Sequence, residues 1–182
     1  MSPAPLTPLW RCPVCGQEFV SRNMPHSCQV QSLDAYFAGS DPALRDLFEA
    51  LVAAVGENGP VTVNVTKSRI ALQARNRFAG IDRPRKDHLV ASFILTRPID
   101  RARLARVDYI PPYYFAHRVR LRRPEDIDAE LRAWLAEAYR VGEQHHVTDP
   151  DWVKVRTPPA WVHVPREVAE AIARGDDPSK VR

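Results

Sequence analysis

The chain has 182 residues and a formal charge of +4, with 45% hydrophobic and 26% charged residues, enough for one ordinary soluble domain plus attachments, or two very small ones. No apolar run approaches the roughly 18 residues of a membrane span, and residues 1–10 are Pro-rich rather than a charged start followed by an apolar stretch. A cytoplasmic protein with no membrane partner is expected.

Residues 1–9 read as a flexible N-terminus, and residues 10–38 as a metal-bound hook. All three cysteines fall in the first 28 residues, at Cys12, Cys15 and Cys28, and an odd number so confined is a poor disulfide framework. With His26 they form C-x2-C-x10-H-x-C, four N or S donors suited to a tetrahedral, structural Zn2+ with no open coordination position. Cys12-Pro13-Val14-Cys15-Gly16 is a tight turn in which Gly16 can take positive φ. His26 and Cys28 point the same way along an extended segment, which Pro25 enforces at Met24. A redox Cys-x-x-Cys would want a βαβ context that the sequence lacks.

An α+β core is expected over 39–144. Ser40 or Asp41 caps a helix of about 41–55 with Pro42 in its first turn, and Leu44, Leu47, Phe48, Leu51, Val52 and Val55 recur at helical spacing before Gly56. The period then changes. Val61, Val63 and Val65 alternate with polar residues, Ile70 and Leu72 follow a turn, and Phe78, 88–95 and 113–121 read as further strands. A second helix from near Pro124 carries Ile127, Leu131, Trp134, Leu135 and Ala138 on one stripe and ends at Gly142. The fold class is α+β: an antiparallel sheet of about four or five strands with two flanking amphipathic helices, preceded by the small zinc hook. Residues 145–182 are a tail with a short helix between Pro165 and Gly175, expected to dock through Trp152 and Trp161; His145-His146 reads as a polar helix end.

Charge is segregated. Residues 67–123 carry 15 Lys and Arg against 4 Asp, net +11, while residues 124–151 carry 2 Arg against 8 acids, net −6. In the strand at 113–121, Phe115, His117, Val119 and Leu121 share the apolar side, which makes His117 a core histidine. Arg118, Arg120 and Arg122 face the other way, and Arg75 and Arg77, with Arg69, Arg83, Arg85 and Lys86, extend them. With Tyr113, Tyr114 or Phe78 nearby, such a face suits nucleic acid or another polyanion; the alternative is a solvated face paired with the acidic helices. No nucleophile elbow, P-loop, dinucleotide fingerprint or H-E-x-x-H is present, and Asp82, Asp87, Asp100 and Asp108 have no recognisable metal spacing. No catalytic residue is assigned. A non-catalytic binding module is the leading expectation; a small-molecule or hydrolytic domain with a pocket between sheet and tail, or a protein-interaction domain using the acidic helix, is the alternative.

Several motifs bear a family likeness. Trp10-x-Cys12-Pro13-x-Cys15-Gly16-x-x-Phe19 with His26-Ser27-Cys28, Leu47-Phe48, Gly59-Pro60-Val61, Lys67-x-x-Ile70-Ala71-Leu72, Arg77-Phe78-Ala79 and Trp134-Leu135-x-x-Ala138-Tyr139 together resemble bacterial proteins of domain-of-unknown-function family 5655 with an N-terminal zinc hook. That resemblance spans roughly residues 10–145 and implies a fold neighbourhood rather than an activity. A looser similarity, to double-wing proteins of the MmcQ/YjbR type, implies a frataxin-like α+β sandwich and adds slightly to the nucleic-acid expectation.

Overall fold

The computed structural model describes residues 6–22, 24, 26–149, 151–157 and 160–180, with backbone alone at 157, 160, 161 and 179. Pro25 and the Trp161 side chain, both invoked above, lie outside the described residues, as does most of the N-terminal segment.

In chain order the elements are β1 (Trp10–Arg11), β2 (Glu18–Phe19), α1 (Leu33–Phe37), α2 (Pro42–Gly56), β3 (Thr62–Val65), β4 (Arg69–Gln73), β5 (Arg77–Asp82), β6 (Leu89–Leu95), β7 (Leu104–Ile110), β8 (Tyr114–Leu121), α3 (Ala129–Gly142), α4 (His145–Thr148), β9 (Trp152–Thr157), β10 (Ala160–Pro165) and α5 (Arg166–Arg174). The main sheet is antiparallel, with strand order β3-β4-β5-β6-β8-β7. Six strands stand where the pattern suggested four or five. The addition is β7, an edge strand whose sequence Leu-Ala-Arg-Val-Asp-Tyr-Ile leaves most side chains exposed or half-buried. Edge strands lack the deep burial that makes alternation visible.

The helices begin where local chemistry places them. The Asp41 carboxylate accepts from the Ala43 amide at 2.9 Å, with Pro42 opening α2. The Asp128 carboxylate accepts from the Leu131 amide at 2.9 Å and caps α3. That helix starts later than Pro124 suggested. A 3-10 turn over Pro124–Asp126 comes first, because the Asp126 carboxylate takes the Arg122 amide at 2.7 Å and holds the chain in a tight turn.

One face of the sheet buries Val65, Ile70, Leu72, Ile81, Leu89, Phe93, Val119 and Leu121 under α2 and α3. Phe93 stacks on Trp134 of α3 at 5.8 Å and on His117 at 5.2 Å. His117 is a buried core histidine, its Nε2 accepting from the Ile99 amide at 3.0 Å, and burial lowers its pKa. Gly59 has φ of +145°, and a Cβ there would overlap the Tyr139 hydroxyl, which donates to the Pro60 carbonyl at 3.1 Å. The family-like pieces Gly59-Pro60, Phe78 and Tyr139 thus meet at one packing point, with the Phe78 and Tyr139 rings 5.4 Å apart.

The tail forms a β9–β10 hairpin followed by α5, which closes on Gly175 with φ of +79°. The hairpin escaped the sequence pattern; the helix did not. Tyr113, Val164 and Val168 make a second small core, with Tyr114 and Trp152 packed around it. His146 is part of it rather than a polar helix end: it lies 4.8 Å from the Trp152 ring, and its Nε2 is 3.0 Å from the Tyr114 hydroxyl. Burial, reinforced by His163 and His145, pushes its pKa down to about 4 from 6.5. The unfolded chain therefore binds a proton in a window where the folded chain does not, so stability is full above pH 6.5 and falls as the pH drops toward 4. Within that window the loss is about 1.4 kcal/mol per pH unit. Melting temperature against pH, compared with His146→Phe, should show the wild type falling more steeply; identical profiles would overturn this.

Candidate metal centre and the open sheet face

β1 and β2 pair antiparallel, Trp10 opposite Phe19 and Arg11 opposite Glu18, and so close the knuckle that carries the first two cysteines. Within it the Cys12 carbonyl accepts from the Gly16 amide at 2.9 Å, and Gly16 has φ of +71°. The Phe19 and His26 rings lie 4.3 Å apart, with Trp10 beside both. These three rings are the apolar floor of the hook.

The ligand-capable atoms of Cys12, Cys15, His26 and Cys28 all lie within 4.8 Å of one another, close enough to hold one metal ion. Cys12 Sγ and Cys28 Sγ are 3.8 Å apart, and Cys28 Sγ is 3.4 Å from His26 Nε2. His26 Nδ1 lies 2.9 Å from the Met24 carbonyl. Only a protonated Nδ1 can donate to that oxygen, which leaves the Nε2 lone pair aimed at the sulfurs. Amide donors at Cys15 and Val14 push the Cys12 thiol down to about 6, whereas burial and the neighbouring sulfurs push Cys28 up to about 11. Once one thiolate has formed, its neighbours resist charging. A cation among them removes that resistance.

The hook docks on the open face of the sheet, opposite α2 and α3. The Gln73 amide donates to the Glu18 carbonyl at 2.6 Å, and Arg77 donates to Gln17 Oε1 at 3.2 Å while its guanidinium sits 5.3 Å over the Phe19 ring. Arg75 donates to the Thr7 carbonyl and to Gln144 Oε1.

The three arginines of β8 and its end meet different fates. Strand phase places Arg118 and Arg120 on the open side, as the alternation requires. Arg118 pairs with Asp108 at 2.9 Å and approaches Asp82 at 3.9 Å, and Arg122 pairs with Asp87 at 3.5 Å. The Arg120 side chain is exposed and makes no hydrogen bond or ion pair among the described residues. Arg83 is drawn away to the carbonyls of Lys67 and Tyr36. Tyr113 and Tyr114 are taken up by the tail core and Phe78 by α3, so the aromatic platform the sequence suggested beside the arginines is spent on packing. The acids of the second helix are largely consumed as well: Arg97 pairs with Glu137, Arg101 with Glu130 and Arg103 with Asp128. The segregation of charge along the chain therefore becomes neutralisation between layers at these positions.

Between the arginines lies a trough of about 270 Å³, bounded by Asn64, Arg69, Arg77, Ser92, Ile94 and Arg118. Its floor follows one register row, Asn64–Ala71–Gly80–Ser92–Arg118, with small residues in the middle three places. Arg69 donates to Ser92 Oγ at 3.3 Å. Arg77 is half-buried, its Nε lacks an acceptor, and burial followed by repulsion from Arg69 lowers its pKa. Nothing in the sequence marks Asn64 or Ser92, and Asp82 and Asp108 stand there only as carboxylates without metal spacing; no local pattern marks residues that only cross-strand register brings together. A smaller recess of about 200 Å³ lies beside the tail, against Glu137, Arg140, His146 and Trp152.

A family model described as Domain of unknown function (DUF5655) matches residues 33–142. The chain belongs to the DUF5655 family. No curated protein and no solved structure matches it. The matched residues run from α1 to the end of α3, so the metal-ligand part of the hook, which the family likeness had included, and the tail both lie outside them. Among the described residues, no helix is long and apolar enough to cross a membrane.

Proposed function

We propose that this DUF5655 chain is a zinc-stabilised, non-catalytic binding module whose open sheet face contacts a polyanion, nucleic acid foremost. The metal assignment rests on donor chemistry: three thiolates and one imidazole make a closed tetrahedral set preferred by Zn2+. A tetrahedron with Zn–S bonds of about 2.3 Å has sulfur–sulfur edges of about 3.8 Å, and Cys12 and Cys28 are 3.8 Å apart.

The observation that carries the binding reading is charge left over on the open face. Arg69 and Arg77 both line the trough there, and the acceptors of their guanidinium groups are neutral: a serine hydroxyl and a glutamine carbonyl. Arg120, farther along the same face on β8, is exposed and carries no ion pair among the described residues. Such cations attract phosphates and release counterions.

Binding of a labelled single-stranded oligonucleotide should be sequence-tolerant and lost as salt rises. Each neutralised phosphate contributes about 0.7 to the slope of log affinity against log salt, so Arg69→Gln with Arg120→Gln should flatten it by about 1.4 while leaving the fold intact. Folded wild-type protein that binds no oligonucleotide at low salt would overturn the proposal.

A further inference from the structure

The trough is more enclosed than a track for a continuous backbone needs to be. Its lining combines the guanidinium groups of Arg69, Arg77 and Arg118 with the apolar side chains of Ile94, Ile110 and Ala116. The floor at Ala71, Gly80 and Ser92 carries nothing longer than a hydroxymethyl group across three adjacent strands. Strands lie about 4.8 Å apart, so that row offers a flat patch about 10 Å wide. A planar ring would lie on it with its faces against methyl and main-chain groups. The volume falls near the lower end of small-ligand pockets, about 300 Å³.

The guanidinium groups are arranged for an anion that is not already present in the chain. Ser92 Oγ on Arg69 and Gln17 Oε1 on Arg77 orient the two cations without discharging them. Arg77 Nε is buried without a hydrogen-bond partner, and Arg118 Nε, likewise without one, lies 3.9 Å from the Asp82 carboxylate. Arg118 is held by Asp108 and closes the far end as an ion pair. Two cations that reach the trough from opposite ends of the β4–β5 pair match a group of two negative charges with several acceptor oxygens, and guanidinium forks take phosphate oxygens in pairs.

We infer that the trough between Arg69, Arg77 and Arg118 is a discrete pocket for a phosphomonoester borne on a flat ring system: a nucleotide, either free or at the 5′ end of a strand. This rests on reading the open face as a phosphate-binding surface and specifies where that surface ends in a pocket. The arginines hold the phosphate, and the ring lies over Ala71 and Ser92 toward Ile94.

Calorimetry on the metal-loaded full chain at low salt tests this with adenosine 5′-monophosphate, adenosine, inorganic phosphate, and one oligonucleotide with and without a 5′-phosphate. Adenosine monophosphate should bind at least about tenfold more tightly than adenosine or phosphate alone, because each lacks one half of the recognition. Arg69→Gln, at an exposed position, should weaken it about tenfold or more. Ala116→Phe, which fills the apolar part, should abolish it, with circular dichroism confirming the fold of both variants. Tighter binding of the phosphorylated oligonucleotide than of its unphosphorylated twin identifies a strand end; binding of the free nucleotide alone keeps the pocket and removes the nucleic-acid reading. Equal binding of adenosine and its monophosphate, or unchanged affinity in Arg69→Gln, overturns the pocket. Equal binding of the two oligonucleotides with none of the nucleotide overturns it too, and leaves backbone contact standing.

Discussion

Trp134→Ala is expected to cost about 3–5 kcal/mol of folding stability, in the range of buried aromatic truncations. Trp134 is 7% exposed, stacks on Phe93 at 5.8 Å, and receives the Arg103 guanidinium 5.6 Å above its ring. Phe93 in turn stacks on His117. Removing the indole opens a cavity at the junction of α3 with the two central strands β5 and β6, and it also strips one face from a buried ring stack. Urea unfolding monitored by circular dichroism should show the midpoint falling with little change in slope. Trp134→Phe should recover most of the loss, since it restores a ring against Phe93. A midpoint equal to wild type would mean that α3 does not carry the core.

Removing the metal should have the largest local effect. Structural zinc in isolated fingers is worth about 10–16 kcal/mol apparent, and the ring cluster of the hook among the described residues is small, Trp10, Phe19 and His26. Chelation, or Cys12→Ser with Cys15→Ser, should therefore release hydrogen-exchange protection across residues 10–28. Of residues 10–38 only the α1 residues Tyr36 and Phe37 enter the main core among the described residues, and none from the metal-ligand segment 10–28 does, so its cooperative unfolding should persist. Arg77 would lose Gln17 and the Phe19 ring together, and anion affinity at the trough should fall with the metal. One metal retained per chain in the double variant would remove Cys12 and Cys15 from the ligand set. Loss of the whole fold on chelation would show that the hook is structurally inseparable from the sheet.

What was legible in advance was local. The four metal-capable residues lie within 17 positions, and a tight knuckle plus an extended pair needs no distant partner to converge. The Asp41 cap, Pro42 and the apolar stripe of α2 announce themselves over one segment, and the alternation in β8 placed His117 inside and Arg118 and Arg120 outside without knowledge of any neighbour. The five-residue α1 is too short for a periodic signal, and the edge strand β7 buries too little to alternate visibly. Tertiary structure alone decided which charges remain. Arg118 meets Asp108 because β7 pairs with β8, Arg103 meets Asp128 because α3 crosses back over the sheet, and Arg77 is held by a hook some 60 residues upstream. The trough is of the same kind. Ala71, Gly80 and Ser92 are unremarkable in sequence, and they become a floor only because antiparallel register aligns them across three strands, where side-chain volume is set by pairing partners rather than by chain neighbours.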